Sequence, residues 1–175
     1  MDKVKWYVLY VNTGKELDIM KALQRKGISA LVPLENRVIR SKGKWITKKY
    51  VIFKGYVFVN LEYNWLIYYE ISKINGVIRL LGGGTSPVPL SEHEVEMLIE
   101  STKLFAEPST VRLFDGGYEI LNGILLAFKD RIKSLDRHAH RAVIEIRIAG
   151  ELAKFTLSFM TEQKKVDSSL DSKQL

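Results

Sequence analysis

The stretch Phe53-Lys54-Gly55-Tyr56-Val57-Phe58-Val59-Asn60-Leu61 constrains the fold more than any other part of the chain. It sets aromatic and β-branched residues around a single Gly, the composition of a strand that is apolar on both faces. Such a strand belongs at the centre of a sheet, with a further layer packed on each side. An interior Gly predicts a bulge or a close approach of another backbone. A bulge at Gly55 brings Phe53 and Tyr56 to one face despite their opposite parity.

A chain of 175 residues holds one large domain or two small ones, and a hydrophobic fraction of 46% suffices for a packed core. No apolar run reaches membrane-spanning length. The opening Met1-Asp2-Lys3-Val4-Lys5-Trp6 leads straight into a strand rather than a signal-peptide core. A cytoplasmic location without a membrane partner is therefore expected. The absence of Cys excludes disulfides, thiolate catalysis and Cys-based zinc sites, and three His leave little material for a metal centre, so no cofactor is expected. The formal charge of +7 favours a polyanionic partner.

Trp6 to Val11 reads as a strand and Asn12-Thr13-Gly14 as a turn. Leu17, Met20, Ala22, Leu23 and Ile28 predict a helix from Lys15 to about Lys26, ended by Gly27. Ala30 to Ile39 predicts a second strand, held to an edge or a bulge by Pro33. Arg40-Ser41-Lys42-Gly43-Lys44 is a basic hairpin tip leading into a strand from Trp45 to Ile52. Asn64 is placed to cap a short amphipathic helix, Asn75-Gly76 turns the chain, and Val77 to Leu81 returns as a strand. Gly82-Gly83-Gly84-Thr85-Ser86-Pro87 has neither the Lys-Ser/Thr pair of a phosphate loop nor a G-x-G-x-x-G opening, and reads as a plain loop. Ser91 and Glu94 form a capping box for a helix to about Lys103, with Val95, Leu98 and Ile99 facing a core. Residues 1–103 thus predict an α+β domain, a mainly antiparallel sheet flanked by helices.

Residues 104–110 carry Pro and Ser without any period and read as a linker. Beyond it, Val111 to Leu113, a turn at Asp115-Gly116-Gly117, a strand from Gly123 to Phe128, and strands Val143 to Ile148 and Leu152 to Leu157 joined at Ala149-Gly150 predict a small β-barrel over residues 111–165. Ile124, Leu125, Phe128, Ile132 and Leu135 also fit a helical stripe; the strand character of residues 143–157 and four glycines favour the barrel. The polar tail, residues 166–175, is expected to be disordered.

Residues 129–141 read KDRIKSLDRHAHR. Lys129, Arg131, Lys133, Arg137 and Arg141 supply counterion release against a phosphate backbone. Arg planes and the rings of His138 and His140 can stack on unpaired RNA bases. His138 and His140 would share one face of a strand as a metal pair, but no third ligand is evident. No nucleophile with a base, carboxylate cluster or metal set is evident either, so a binding protein is expected rather than an enzyme. An enzyme acting on nucleic acid is the alternative that product formation from labelled RNA would revive.

The opening WYVLYVNTGKE, the run FKGYVFV and the later SPVPLSEHEV resemble, in order, the N-terminal (NGN) domain of the NusG family of transcription elongation factors. VRLFDGGYEILNG, Val111 to Gly123, resembles the family's KOW motif. The likeness spans residues 4 to about 165. Lys54 stands where the family usually has Pro, Gly117-Tyr118 where it has Pro-Phe, and the family's late Phe-Gly-Arg is missing around Ala149-Gly150-Glu151. Those departures resemble a specialised paralogue of the LoaP or RfaH antitermination type. The resemblance implies that an apolar pocket built on Trp6, Phe53 and Tyr56 receives the clamp helices of RNA polymerase. It implies a non-template DNA contact near Ser72-Lys73-Ile74-Asn75, with Lys73 as the candidate phosphate ligand, and an RNA hairpin read by the KOW domain. A monomer promoting processive antitermination at selected operons is the function implied. A general NusG-like elongation factor, an RfaH-type factor recruited by non-template DNA, and an RNA-binding module without a polymerase contact stay open beside it.

Overall fold

The computed structural model describes residues 3–82, 86–104 and 107–162. The N-terminal half runs β1 (Val4–Val11), α1 (Glu16–Arg25), β2 (Ser29–Leu31), β3 (Leu34–Ser41), β4 (Lys44–Val51), β5 (Tyr56–Glu62), α2 (Trp65–Ser72), β6 (Val77–Leu80) and α3 (Glu92–Leu104). The C-terminal half runs β7 (Ser109–Phe114), β8 (Gly117–Asn122), a 3-10 helix (Ile124–Arg131), β9 (Ile132–Asp136), β10 (Arg141–Ile148) and β11 (Glu151–Thr161).

The core stretch does sit inside a sheet. β5 lies between β2 and β1 in a four-stranded sheet of order β2-β5-β1-β6, antiparallel throughout. Register sorts its two faces: Val8 lies opposite Phe58 and Tyr10 opposite Tyr56, while Tyr7 lies opposite Val59 and Leu9 opposite Val57. On the second of these faces Leu9, Val57 and Val59 meet Ile19 and Leu23 of α1 and Ile71 of α2. The first face packs Val8, Phe53 and Phe58 against Leu98 of α3 and against Ile146, Phe155 and Phe128 of the C-terminal half. One continuous apolar core therefore joins the two halves.

Gly55 is not a bulge inside the strand. It closes a turn just before β5 at φ 83°, where Tyr56 N–H donates to the Phe53 carbonyl at 3.1 Å. A Cβ there would meet the Val11 carbonyl and the Tyr10 ring, both at 3.4 Å. The turn delivers Phe53 and Tyr56 to the same cluster, as expected, by a different device.

Pro33 splits the strand expected over residues 30–39 into β2 and β3, because it lacks the N–H that a continuous ladder needs. Asn64 caps α2 through Ile67 N–H at 2.9 Å, and Ser91 with Glu94 forms the expected box at the start of α3. Ile99 is 41% exposed rather than core-facing; Met97 packs in its place.

The C-terminal half is a five-stranded sheet, β8-β7-β11-β10-β9, curled into a half-barrel. Its departure from expectation lies at residues 123–128, which form no strand. Gly123 turns the chain at φ 86°, and the 3-10 helix then buries Ile124, Leu125 and Phe128, the helical stripe noted in the sequence. The glycine permits a backbone that ends the β8 ladder, and the burial of three apolar side chains on one side favours a helical turn. Residues 166–175 lie outside the described residues.

Candidate nucleic-acid and polymerase interface

Trp6 stands on β1, Phe53 just before β5 and Tyr56 at its start, and all three belong to the cluster on the first face of the sheet. Trp6 and Tyr56 are half-buried, whereas Phe53 is only 4% exposed. The Phe53 ring meets Phe155 of β11 with centroids 4.5 Å apart and lies edge-on to Phe58 at 5.4 Å. Aromatic pairs at such spacings add attraction beyond their buried area. The side chains that the sequence offers to a partner are thus brought together, and the C-terminal half is seated on them.

Polar contacts ring this apolar seat. Arg79 of β6 donates through both terminal nitrogens to Glu151, each at 2.8 Å, and Glu151 also accepts the Gly82 N–H at 3.1 Å. The guanidinium and that amide hold the Glu151 carboxyl below its usual range. Glu94 in the capping box accepts the Ala149 N–H with its other oxygen at 3.0 Å. Glu35, buried at 4% exposure, accepts both the N–H and the hydroxyl of Ser158, at 3.0 and 2.8 Å, and pairs with Arg37. Three carboxylates thus cross from one half to the other, and two of them meet the Ala149-Gly150-Glu151 turn where the chain departs from the family pattern. None of the three was singled out in the sequence as a contact, since each partner lies more than 50 residues away.

Glu16 was missed as well. It is buried at 3% exposure at the start of α1, and its two oxygens accept the Gly55 and Gly14 N–H groups at 2.7 and 2.8 Å. It therefore fixes the turn that carries Phe53. An acid at the first helical position directly after a Gly turn was the available signal.

The basic run 129–141 is divided. Lys129 and Arg131 lie exposed on the 3-10 helix, where Arg131 lines a cavity of about 280 Å³ with Glu96 and Glu100 of α3. Lys133 on β9 pairs with Glu145 at 3.2 Å. Arg137, His138 and His140 occupy the β9–β10 turn, and Arg141 opens β10. Arg137 donates to the Gly117 carbonyl at 2.9 Å, and Asp136 accepts the Ala139 and His138 N–H groups, which hold its carboxyl below the usual range. His138 and His140 sit in this turn rather than on one strand face. His140 has φ 52° and stacks on Phe159 with centroids 5.4 Å apart. Among the described residues no group of three or more His, Asp or Glu side chains is placed to hold a metal. Lys73 follows α2, pairs with Glu70 at 2.7 Å and lies 4.2 Å from the Tyr69 ring centre. No helix among the described residues is long and apolar enough to cross a membrane.

A four-stranded antiparallel sheet with α1 and α2 on one face, and α3 with a curled half-barrel on the other, defines an α+β protein whose two halves share one core. A sequence profile described as "Transcription termination factor nusG" matches residues 4–99. The chain is 22% identical to the transcription termination/antitermination protein NusG of Helicobacter pylori J99, over 91% of this chain and 97% of that protein. It is 24% identical to the NusG of Pseudomonas aeruginosa, over 91% and 98%. A solved structure described as "Domain interaction in Thermotoga maritima NusG" shares the fold with a TM-score of 0.54 at 20% identity, covering 89% of this chain and 93% of that one. The protein belongs to the NusG family of non-enzymatic transcription termination/antitermination factors.

Proposed function

We propose that this chain is a specialised antitermination factor of the LoaP or RfaH type. Residues 1–103 would dock on the clamp helices of RNA polymerase and residues 111–165 would bind an RNA hairpin in the nascent leader. One observation carries the polymerase half of this reading: Trp6, Phe53 and Tyr56 converge on a single apolar face. Buried aromatic anchors of this kind dominate protein interfaces, with truncations costing about 2 kcal/mol or more. The same face is covered here by Phe155 and its neighbours, so docking on polymerase requires the C-terminal half to move aside.

Lys129, Arg131, Lys133, Arg137, His138, His140 and Arg141 supply the RNA half. The turn 137–140 presents exposed basic side chains on a rigid hairpin, which suits an RNA loop. Recruitment by non-template DNA through Lys73 has less support, because Glu70 and Tyr69 already engage that ammonium. The general elongation-factor reading is favoured by the names of the relatives.

Capture of RNA polymerase and of a leader RNA by the immobilised full chain separates these roles. Tyr56→Ala with Trp6→Ala is expected to lower polymerase capture and spare RNA. Neutralising Lys129, Arg131, Lys133, Arg137 and Arg141 is expected to do the reverse. Unchanged polymerase capture by the folded variant moves that contact elsewhere, and unchanged RNA capture leaves the general factor as the better reading.

A further inference from the structure

We infer that the β3–β4 ribbon is a second RNA-binding element, which carries the phosphates of a stem whose loop meets the β9–β10 turn. The inference rests on the RNA-binding reading of that turn and extends it to the N-terminal half.

β3 and β4 pair over eight residues each and form a sheet of their own, a ribbon roughly 26 Å long at about 3.3 Å per residue. Lys42 and Gly43 close it at φ 48° and 78°, both in the left-handed region that two-residue hairpins favour. The ribbon carries Arg37, Arg40, Lys42, Lys44, Lys48 and Lys49 against the single acid Glu35. Glu35 is consumed at the base of the ribbon by Arg37 and Ser158. The other five cations are exposed, and none pairs with a carboxylate among the described residues. An ordinary solvated surface interleaves both signs of charge; here the positive charge is uninterrupted.

Register places these cations on both faces and at the tip. Lys48 shares a face with Arg37 and Tyr50, and lies 5.8 Å from the Tyr50 ring centre. Lys49 and Arg40 occupy the opposite face, and Lys42 stands in the turn. Four of the five exposed cations are Lys, which meets a phosphate as a point charge, so the ribbon is suited to phosphates rather than to sequence.

The base of the ribbon runs into the basic turn of the C-terminal half. Ser158, which Glu35 holds, is the strand partner of Arg141, and the next residue, Phe159, stacks on His140 and donates its N–H to the His140 carbonyl at 3.1 Å. A phosphate-binding strip thus adjoins a turn whose His and Arg side chains can stack on unpaired bases. A stem-loop offers both kinds of surface side by side, phosphate rows on the stem and splayed bases in the loop. A plain DNA duplex would leave the stacking side chains without partners.

The test uses the full chain, a fluorescein-labelled RNA stem-loop and a DNA duplex of the same stem sequence, titrated at several salt concentrations. Replacing Arg40, Lys42, Lys44, Lys48 and Lys49 together by Gln is expected to weaken the stem-loop by at least ~10-fold and to lower the log–log salt slope by about 1 for each phosphate that is no longer neutralised. Replacing the four lysines by Arg instead is expected to preserve binding. Stem-loop affinity within about two-fold of the parent, at an unchanged slope and melting temperature, would overturn the inference. Equal affinity for the duplex, abolished by the same substitutions, would overturn RNA as the occupant. If neutralising the ribbon weakens the stem-loop while neutralising residues 129–141 does not, the ribbon stands and the KOW reading fails.

Discussion

Phe53 illustrates how one side chain can belong to two surfaces. It is placed by a turn rather than by a strand, and that turn is held by Glu16, whose carboxylate satisfies the Gly55 N–H from the start of α1. A buried donor that loses its acceptor costs about 1–3 kcal/mol, more when the acceptor is charged. Glu16→Ala strands the buried Gly55 donor, leaving the exposed Gly14 N–H to water, and is expected to destabilise the chain by about that amount, with Glu16→Gln recovering part of the loss by keeping one oxygen. Urea denaturation measures both; equal midpoints for the parent and the Ala variant would show that the turn holds itself. The role of Glu16 was only partly legible in sequence: an acid at the helix start after a Gly turn is a signal, but acids are ordinary there and the far partner of this one is 39 residues away.

Among elements, those with local signals were readable before the fold was known. β1, α1 and the caps at Asn64 and Ser91 depend on residues within a turn of each other, and the structure matches them. The 3-10 helix was not readable as such: Ile124 to Phe128 suits either state by composition, and what decides it is the Gly123 turn together with burial of Phe128 against Phe155 at 5.5 Å. The β6–β11 contact is decided at still longer range, and it titrates. Glu151 has its carboxyl lowered in the folded chain, by the Arg79 hydrogen bond first. A lowered carboxyl contributes its stabilisation fully above the unfolded value of roughly 4.3 and loses it as pH falls through the folded value. The Arg79–Glu151 contact is therefore expected to hold at neutral pH and to loosen only in acid, below the ordinary carboxylate range. The amide resonance of Gly82, which donates to Glu151, reports this directly. A Gly82 shift that already moves with its midpoint at or above the unfolded carboxylate value of roughly 4.3 would contradict it.

For the molecule as a whole, the sequence predicted that the central strand is covered on both faces, and it is. What covers the first face could not be read, because no local pattern says that Phe155 rather than α3 alone will meet Phe53. Family likeness pointed to Trp6, Phe53 and Tyr56 as an interface, and packing made the same residues part of the core that joins the halves. Both statements hold only if the halves can part. The seat of the C-terminal half is partly apolar and partly the Arg79–Glu151 clasp, so weakening the clasp shifts the population toward the parted form while Trp6, Phe53 and Tyr56 stay unsubstituted. Titrating an isolated clamp-helix fragment of RNA polymerase against the parent chain and an Arg79→Ala/Glu151→Gln variant tests this most directly. The variant is expected to bind more tightly, by roughly ten-fold for each ~1.4 kcal/mol removed from the closed arrangement, and adding Tyr56→Ala is expected to abolish the gain. Equal affinity for the parent and the folded variant would contradict it.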